Sequence, residues 1–266
     1  MLDRGVSGGS SPLEPARLDR VLVAVAHGSA DPRAAATIDE LMTVAATRTA
    51  ARGLSLRAAY LGHAAPSLPQ VISALPSGAR VTVLPLLLTA AYHSKTDLPR
   101  VLARLRGDFP RLELSYGATL GPHPLLLRAL ERRLAEAAPD ALENPGRTGV
   151  VLAAAGSSDP AANATIARLA ARWQARAGWF AVRPAYASAA DPAPAAAVAG
   201  LLRAGASRVL VATYLLAPGF FADRIRDAAL AAGAAAVSPA LGAAAEVADV
   251  MLDRYQEAGT RQRAAA

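Results

Sequence analysis

The segment AHGSADPRAAATIDEL (Ala26 to Leu41) returns as AAGSSDPAANATIARL (Ala154 to Leu169), matching over most positions without a gap. Three further segments repeat in the same order. RAAYLGHAAPSLP (Arg57 to Pro69) falls on RPAYASAADPAPA (Arg183 to Ala195), ARVTVLPLLLTAAYH (Ala79 to His93) on SRVLVATYLLAPGFF (Ser207 to Phe221), and ATLGPHP (Ala118 to Pro124) on PALGAAA (Pro239 to Ala245). A chain with this self-similarity is a tandem duplication and must build one architecture twice. The joint lies at Glu143-Asn144-Pro145-Gly146-Arg147, where turn-forming residues interrupt the helical pattern.

Within the first copy, apolar strand-like runs alternate with helical periodicity. Val21 to Ala26 precedes a helix over about Arg33 to Ala51. Leu56 to Leu61 precedes a short helix beginning near Pro66. Val81 to Leu88 precedes a helix from about Lys95 to Arg106, and a strand at Leu112 to Tyr116 precedes a helix starting after Pro122. The order β-α-β-α-β-α-β-α predicts a parallel, doubly wound α/β sheet with helices on both faces and right-handed crossovers. The expected layout is a disordered extension over 1–17, an N-terminal domain over 18–142, a linker at 143–148, a C-terminal domain over 149–260 and a flexible tail over 261–266.

Composition narrows the function classes. A chain of 266 residues is long enough for two cores of ordinary size. The longest apolar run, Val81 to Ala91, is too short to span a bilayer, and MLDRGVSGGSSPLEPAR lacks the apolar core of a secretory signal. The absence of cysteine removes disulfides, thiolate metal sites and a Cys nucleophile, and fits a cytoplasmic protein. The formal charge of +7 is spread as single arginines and short pairs with few aromatics between them, which argues against a nucleic-acid partner. Scattered Arg suits a small substrate bearing carboxylates or, for any one residue, a solvated surface.

The duplication supplies an internal comparison. His27 falls on Ala155, His63 on Ala189, His93 on Phe221 and His123 on Ala244, so all four histidines lie in the first copy and none has an imidazole counterpart. The GS-DP loop and the apolar strands persist in both copies, which points to chemistry in one half only. His27 and His93 follow the first and third strands, at the sheet edge where open α/β folds collect ligands. Two neutral imidazoles without thiolates form an open shell suited to passing on a first-row divalent ion. Gly28 and Ser29 lie where a helix N-terminus favours an anion. Alternatively, Gly and Ser simply make the turn and Asp31 caps the helix. His123, between Pro122 and Pro124, is expected to start the last helix of its half.

HGSADPRAAATIDEL, YLGHAAPSLP, VLPLLLTAAYHSKTDLP and LGPHPLL together resemble the sirohydrochlorin chelatases of the class II type, strongly over about Arg20 to Ala138, with the second half similar to the degenerate copy of longer members. The resemblance implies two tandem flavodoxin-like (chelatase-like) domains, each with a four-stranded parallel sheet, facing each other across a cleft. It implies ATP-independent insertion of Fe²⁺ or Co²⁺, as metal substrate rather than bound cofactor, into the polycarboxylate tetrapyrrole sirohydrochlorin. It assigns metal binding and catalysis to His27 and His93. Gly28, Ser29, Thr89, Ala90, Ala91, Tyr92 and Ser94 become substrate-binding candidates. The family often has a Glu after the second strand, where this chain has Gly62 and then His63, a possible auxiliary. A two-domain monomer, with neither membrane nor nucleic acid as partner, covers the macrocycle within one chain. Phe220 and Phe221 either pack on the ring face or fill space vacated by imidazole. The competing readings are a tetrapyrrole or metal carrier without turnover, and a His-dependent phosphoryl-transfer enzyme.

Overall fold

A computed structural model describes residues 20–50, 53–90, 96–140 and 143–265. Each copy forms four strands and four helices. In the first these are β1 (Arg20–Ala26), α1 (Pro32–Thr49), β2 (Ser55–Tyr60), α2 (Leu68–Ser73), β3 (Arg80–Pro85), α3 (Leu98–Asp108), β4 (Glu113–Tyr116) and α4 (Pro124–Ala137). In the second they are β5 (Thr148–Ala154), α5 (Pro160–Ala177), β6 (Ala181–Tyr186), α6 (Pro194–Arg203), β7 (Arg208–Tyr214), α7 (Phe220–Ala231), β8 (Ala236–Val237) and α8 (Ala245–Ala265). The sheets are wholly parallel, ordered β2-β1-β3-β4 and β6-β5-β7-β8. Central β1 buries six consecutive residues and β5 all seven, as strands covered on both faces must.

The local signals act as the sequence predicts. Asp31 caps α1 by accepting from the Arg33 N–H, and Asp159 caps α5 by accepting from Ala161, each followed by Pro in the first turn. Strand register confirms the repeat alignment position by position. Val21 pairs with Ser55 and Val81, and Gly149 pairs with Ala181 and Val209; carried along the strands, this sets His63 on Ala189 and His93 on Phe221.

Packing is in five layers. Helices α2 and α3 cover the outer face of the first sheet through Leu68, Ile72, Leu98 and Leu102, and α6 and α7 cover that of the second through Val198, Leu201 and Ile225. Between the sheets lie α1, α4, α5 and α8 around one continuous core that includes Leu22, Leu41, Leu130, Leu152, Trp173 and Met251. The last helix of each copy has crossed over. Helix α4 packs on β7 and β8 of the second sheet, whereas α8 packs on β3 and β4 of the first and along α1. The turn near residue 143 therefore separates the sheets but not their helices.

Polar contacts fix the exchange. The Arg254 guanidinium on α8 donates to the carbonyls of Thr119 (2.9 Å), Leu120 (3.2 Å) and Pro122 (2.9 Å), in the segment leading into α4. Arg132 on α4 holds Glu246 on α8 at 2.9 Å, and Trp173 Nε1 on α5 donates to Glu131 Oε1 on α4 at 2.9 Å.

Several boundaries differ from expectation. The third strand ends at Pro85, not Leu88; the Leu86 N–H still donates to the Val25 carbonyl (2.8 Å), but the Leu88 carbonyl accepts from Tyr214 Oη of the second half. Helix α3 is regular from Leu98 to Asp108, and Lys95 lies outside the described residues. In the expected linker, Pro145–Arg147 forms a single 3-10 turn and Thr148 already belongs to β5. The expected tail is helical through residue 265, because its Thr-Arg-Gln-Arg-Ala run contains no helix breaker. The extension expected at 1–17 lies outside the described residues.

Candidate functional site

The carboxyl ends of the two sheets meet, and the loop after β1 lies at this junction. His27 follows the last residue of β1 and is exposed. Its carbonyl accepts from the Gly62 N–H (3.1 Å) and the Ala26 carbonyl from Leu61 (3.0 Å), so the β1 and β2 ladder continues into both loops. The loop closes this tightly only because of Gly28. Its φ is +88°, and a Cβ there would sit 1.7 Å from the Gly62 carbonyl oxygen. Gly156 does the same in the second copy, with φ +85° and 1.9 Å to the Ser188 carbonyl. Thus Gly28 brings the His27 loop against the Gly62-His63 loop by backbone geometry common to both halves.

Each predicted residue has a distinct setting. Nδ1 of His27 lies 3.2 Å from the Gly28 carbonyl; a proton there makes Nδ1 the donor and leaves the lone pair on Nε2. Ser29 Oγ accepts from the Asp31 N–H (3.1 Å), and Ser157 Oγ from Asp159 (3.0 Å), so the hydroxyl shapes the turn in both copies. His63 is exposed at φ 59°, and Ala189 holds the same left-handed conformation at φ 56°. That backbone shape belongs to the fold and does not depend on imidazole. Thr89 is half-buried and Ala90 exposed. Ala91, Tyr92, His93 and Ser94 lie outside the described residues. Among the described residues no group of three or more His, Asp or Glu is placed to hold a metal ion.

His123 has the structural role its flanking prolines indicate. It caps α4, with Nδ1 accepting from the Leu125 N–H at 3.3 Å and Nε2 3.6 Å from Asp253 on α8. Burial, followed by the neighbouring Arg254, pushes its imidazole below the ordinary histidine value, against the opposing pull of Asp253 and Glu257.

The second half reaches the His27 loop through contacts that no single segment could signal. Gly219, before α7, approaches the His27 loop so closely that a Cβ on it would lie 3.8 Å from Asp31 Oδ2 and 4.0 Å from Ser29 Oγ. Arg33 Nη2 bridges Asp31 Oδ2 and Asp223 Oδ2, both at 2.6 Å, joining α1 to α7. The Arg33 guanidinium holds both carboxyls below the usual carboxylate range, and they hold its own pKa up. Directly after Gly219 come Phe220, 72% exposed, and Phe221, 38% exposed, with ring centroids 5.6 Å apart. Phe220 therefore does not fill space left by a missing imidazole. A cleft of about 660 Å³ elsewhere, at the amino ends of β1, β3 and β4 under α8, is lined by Arg20, Arg80, Glu113 and Tyr255 and contains none of the predicted site residues.

Comparison with known proteins agrees with this architecture. The CbiX family profile matches residues 21–137 and 149–258, one stretch per copy. A sirohydrochlorin cobaltochelatase of Priestia megaterium is 26% identical over 206 residues, covering 76% of this chain and 66% of that protein. A sirohydrochlorin ferrochelatase of the same organism is 29% identical over 170 residues, covering 63% of each. The chain thus spans just under two thirds of the length of these curated relatives. Among solved structures, SirB from Bacillus subtilis with Fe³⁺ superposes with a TM-score of 0.75 at 22% identity, covering 92% of this chain and 98% of that one. CbiX, the terminal enzyme of siroheme biosynthesis in denitrifying bacteria, superposes with a TM-score of 0.59 at 20% identity, covering 90% and 99%. These superpositions establish the shared fold: two four-stranded parallel sheets flanked by helices.

Proposed function

The chain belongs to the CbiX family, and from that premise we propose that it is a sirohydrochlorin chelatase, a lyase that inserts Fe²⁺ or Co²⁺ into the macrocycle without ATP. The observation that carries the reading is the exposed His27 imidazole at the carboxyl edge of the first sheet, on a loop whose glycine geometry the second copy reproduces around an inert Ala155. The scaffold is kept twice and the chemistry once.

Insertion requires two pyrrole N–H protons to leave as the metal enters. The His27 imidazole, whose Nδ1 lies 3.2 Å from the Gly28 carbonyl, ligates the incoming ion or takes a proton. His93, which follows β3 in the sequence and lies outside the described residues, is the second ligand or proton acceptor. The loop from Gly28 to Ser29 and the segment from Thr89 to Ser94 receive the macrocycle. His63, exposed beside Gly62, is the auxiliary group that stands in for the acidic residue often found at that position. The metal is a transient substrate, and two imidazoles accept either ion, so selectivity comes from site geometry and supply. The enzyme works as a cytoplasmic monomer whose two halves enclose the substrate. No helix among the described residues is long and apolar enough to cross a membrane.

The test is anaerobic absorbance of sirohydrochlorin with Fe²⁺ or Co²⁺, comparing the protein with His27→Ala and His93→Ala variants. Acceleration that either substitution cuts at least about 100-fold supports the assignment. Binding of macrocycle with insertion at the protein-free rate identifies a carrier and overturns it.

A further inference from the structure

Phe220, Phe221 and Leu230 are the exposed large apolar side chains among the described residues, and the two phenylalanines, with ring centroids 5.6 Å apart, directly follow Gly219, which lies against the His27 loop. Exposing 72% of a phenylalanine forgoes burial that folding would otherwise gain. The helix explains which ring faces outward. Phe221 shares its stripe of α7 with Ile225, which is fully buried, so that stripe faces the protein. Phe220 shares its stripe with Arg224, which is exposed. The cations around it are committed: Arg33 to Asp31 and Asp223, and Arg226 to Asp223 and Asp227. Among the described residues Arg224 has no such carboxylate partner. One helix face therefore offers an aromatic ring and, one turn on, an unpaired guanidinium. Its start is pinned to the His27 loop by Gly219 and by the Arg33–Asp223 bridge.

We infer that Phe220 and Arg224 form a two-point substrate site on the second half, Phe220 stacking on one face of the macrocycle and Arg224 pairing with a peripheral carboxylate. A flat polycarboxylate ring presents an apolar face and peripheral carboxylates, which these two side chains complement. Aromatic stacking supplies sequence-independent face contact, and the guanidinium fork matches a carboxylate. The site rests on the chelatase reading and extends it by giving the half without histidines a direct role in binding.

The experiment is equilibrium titration of metal-free sirohydrochlorin into the full chain, followed by absorbance, with insertion rates and thermal melts measured in parallel. Phe220→Ala is expected to weaken binding by about fivefold to tenfold at any ionic strength and to raise KM with kcat nearly unchanged. Phe220→Trp restores affinity. Arg224→Gln is expected to weaken binding several-fold at low salt, with the difference from wild type shrinking as salt rises. Leu230→Ala, farther along the same helix, leaves both quantities unchanged. Wild-type affinity in Phe220→Ala, with the melt also unchanged, overturns the inference while leaving the chelatase reading intact. A wild-type chain that neither binds the macrocycle nor speeds insertion overturns both.

Discussion

The repeat provides a matched pair of perturbations that separates folding from chemistry, Gly28→Ala and Gly156→Ala. Each places a Cβ on a residue held in left-handed backbone, which costs about 1–2 kcal/mol for alanine. Each also drives that Cβ into a carbonyl oxygen, at 1.7 Å from Gly62 and 1.9 Å from Ser188, far inside the 3.0 Å floor of real Cβ contacts. Relief requires the two loops to part by roughly 1 Å, breaking the bond from Gly62 N–H to the His27 carbonyl in one copy and from Ser188 N–H to the Ala155 carbonyl in the other. Each lost bond is worth about 1 kcal/mol. The total is about 2–3 kcal/mol for either variant, and at roughly 2–4 °C per kcal/mol for a chain of this size the melt falls by about 4–12 °C in both. The functional outcomes diverge. Parting the first pair of loops moves His27 by about 1 Å, enough to cost on the order of 100-fold in insertion rate, whereas parting the second moves only an alanine. Melts by circular dichroism and insertion rates measured well below both transitions decide it. Equal loss of activity in the two variants refutes the assignment of chemistry to the His27 loop. A Gly28→Ala melt within about 2 °C of wild type refutes the steric argument.

Two further outcomes test the interlocked core. Arg254→Ala leaves the Thr119, Leu120 and Pro122 carbonyls without their cationic donor; at about 1.5 kcal/mol or more per charged bond, with incomplete additivity, the variant loses roughly 3–4 kcal/mol, and Arg254→Lys recovers only part of it because one ammonium cannot serve three carbonyls in the guanidinium geometry. Urea midpoints matching wild type would exclude this tie between α8 and the α4 approach. The His123 imidazole is held below its ordinary value, so on acidification the unfolded chain takes up its proton first. Stability from this residue is full above about pH 6.5 and is lost as pH falls toward the lower folded value. His123→Asn keeps an acceptor at the N-cap and removes the titration, so its urea midpoint falls less steeply with pH below about 6.5. Parallel slopes for the two proteins would count against the burial argument.

Strand and helix order, the parallel sheets, the Asp31 cap and all four repeat equivalences were legible from the sequence because they rest on local patterns: unbroken apolar runs, Asp-Pro starts and a gapless internal match. What remained hidden depends on where the halves lie relative to one another. Nothing in the pattern of α4 or α8 says that each packs on the other copy's sheet, since an amphipathic helix specifies an apolar face and not its partner. The Arg33–Asp223 bridge spans 190 positions and the Arg254 contacts more than 130, distances at which sequence carries no pairing signal. The strand ending at Pro85 was overrun for a related reason: Leu86 to Leu88 reads as continued strand, but the end of β7 takes up the Leu88 carbonyl through Tyr214. The position of His27, directly after the first strand, is legible because an apolar run ends at Ala26. The outward aspect of Phe220 is not, because helical periodicity becomes informative only when the buried stripe, here Ile225, is known.

The exchange of helices also explains which features the second copy retains. Its own sheet is roofed partly by α4, and α8 in turn covers β3 and β4 beside the strand that carries His27. If the two copies were separate units, loss of the histidines from one would leave its fold without physical consequence for the other. Here the core is shared: Leu126, Leu130 and Leu134 of α4 and Val247, Val250 and Met251 of α8 belong to one cluster with Leu22, Ala24 and Leu152. Unfolding the second half would strip α8 from β3, β4 and α1 and withdraw Gly219 from the His27 loop. Side chains at its carboxyl edge can therefore differ from those of the first copy, with Ala155, Ala189, Phe221 and Ala244 where the first has histidine. The backbone devices, Gly156 at positive φ, Ala189 in left-handed conformation and the Asp159 cap, must stay. Backbone geometry at the junction is thus held by the common core, which is why the two halves agree in fold while their side chains there differ.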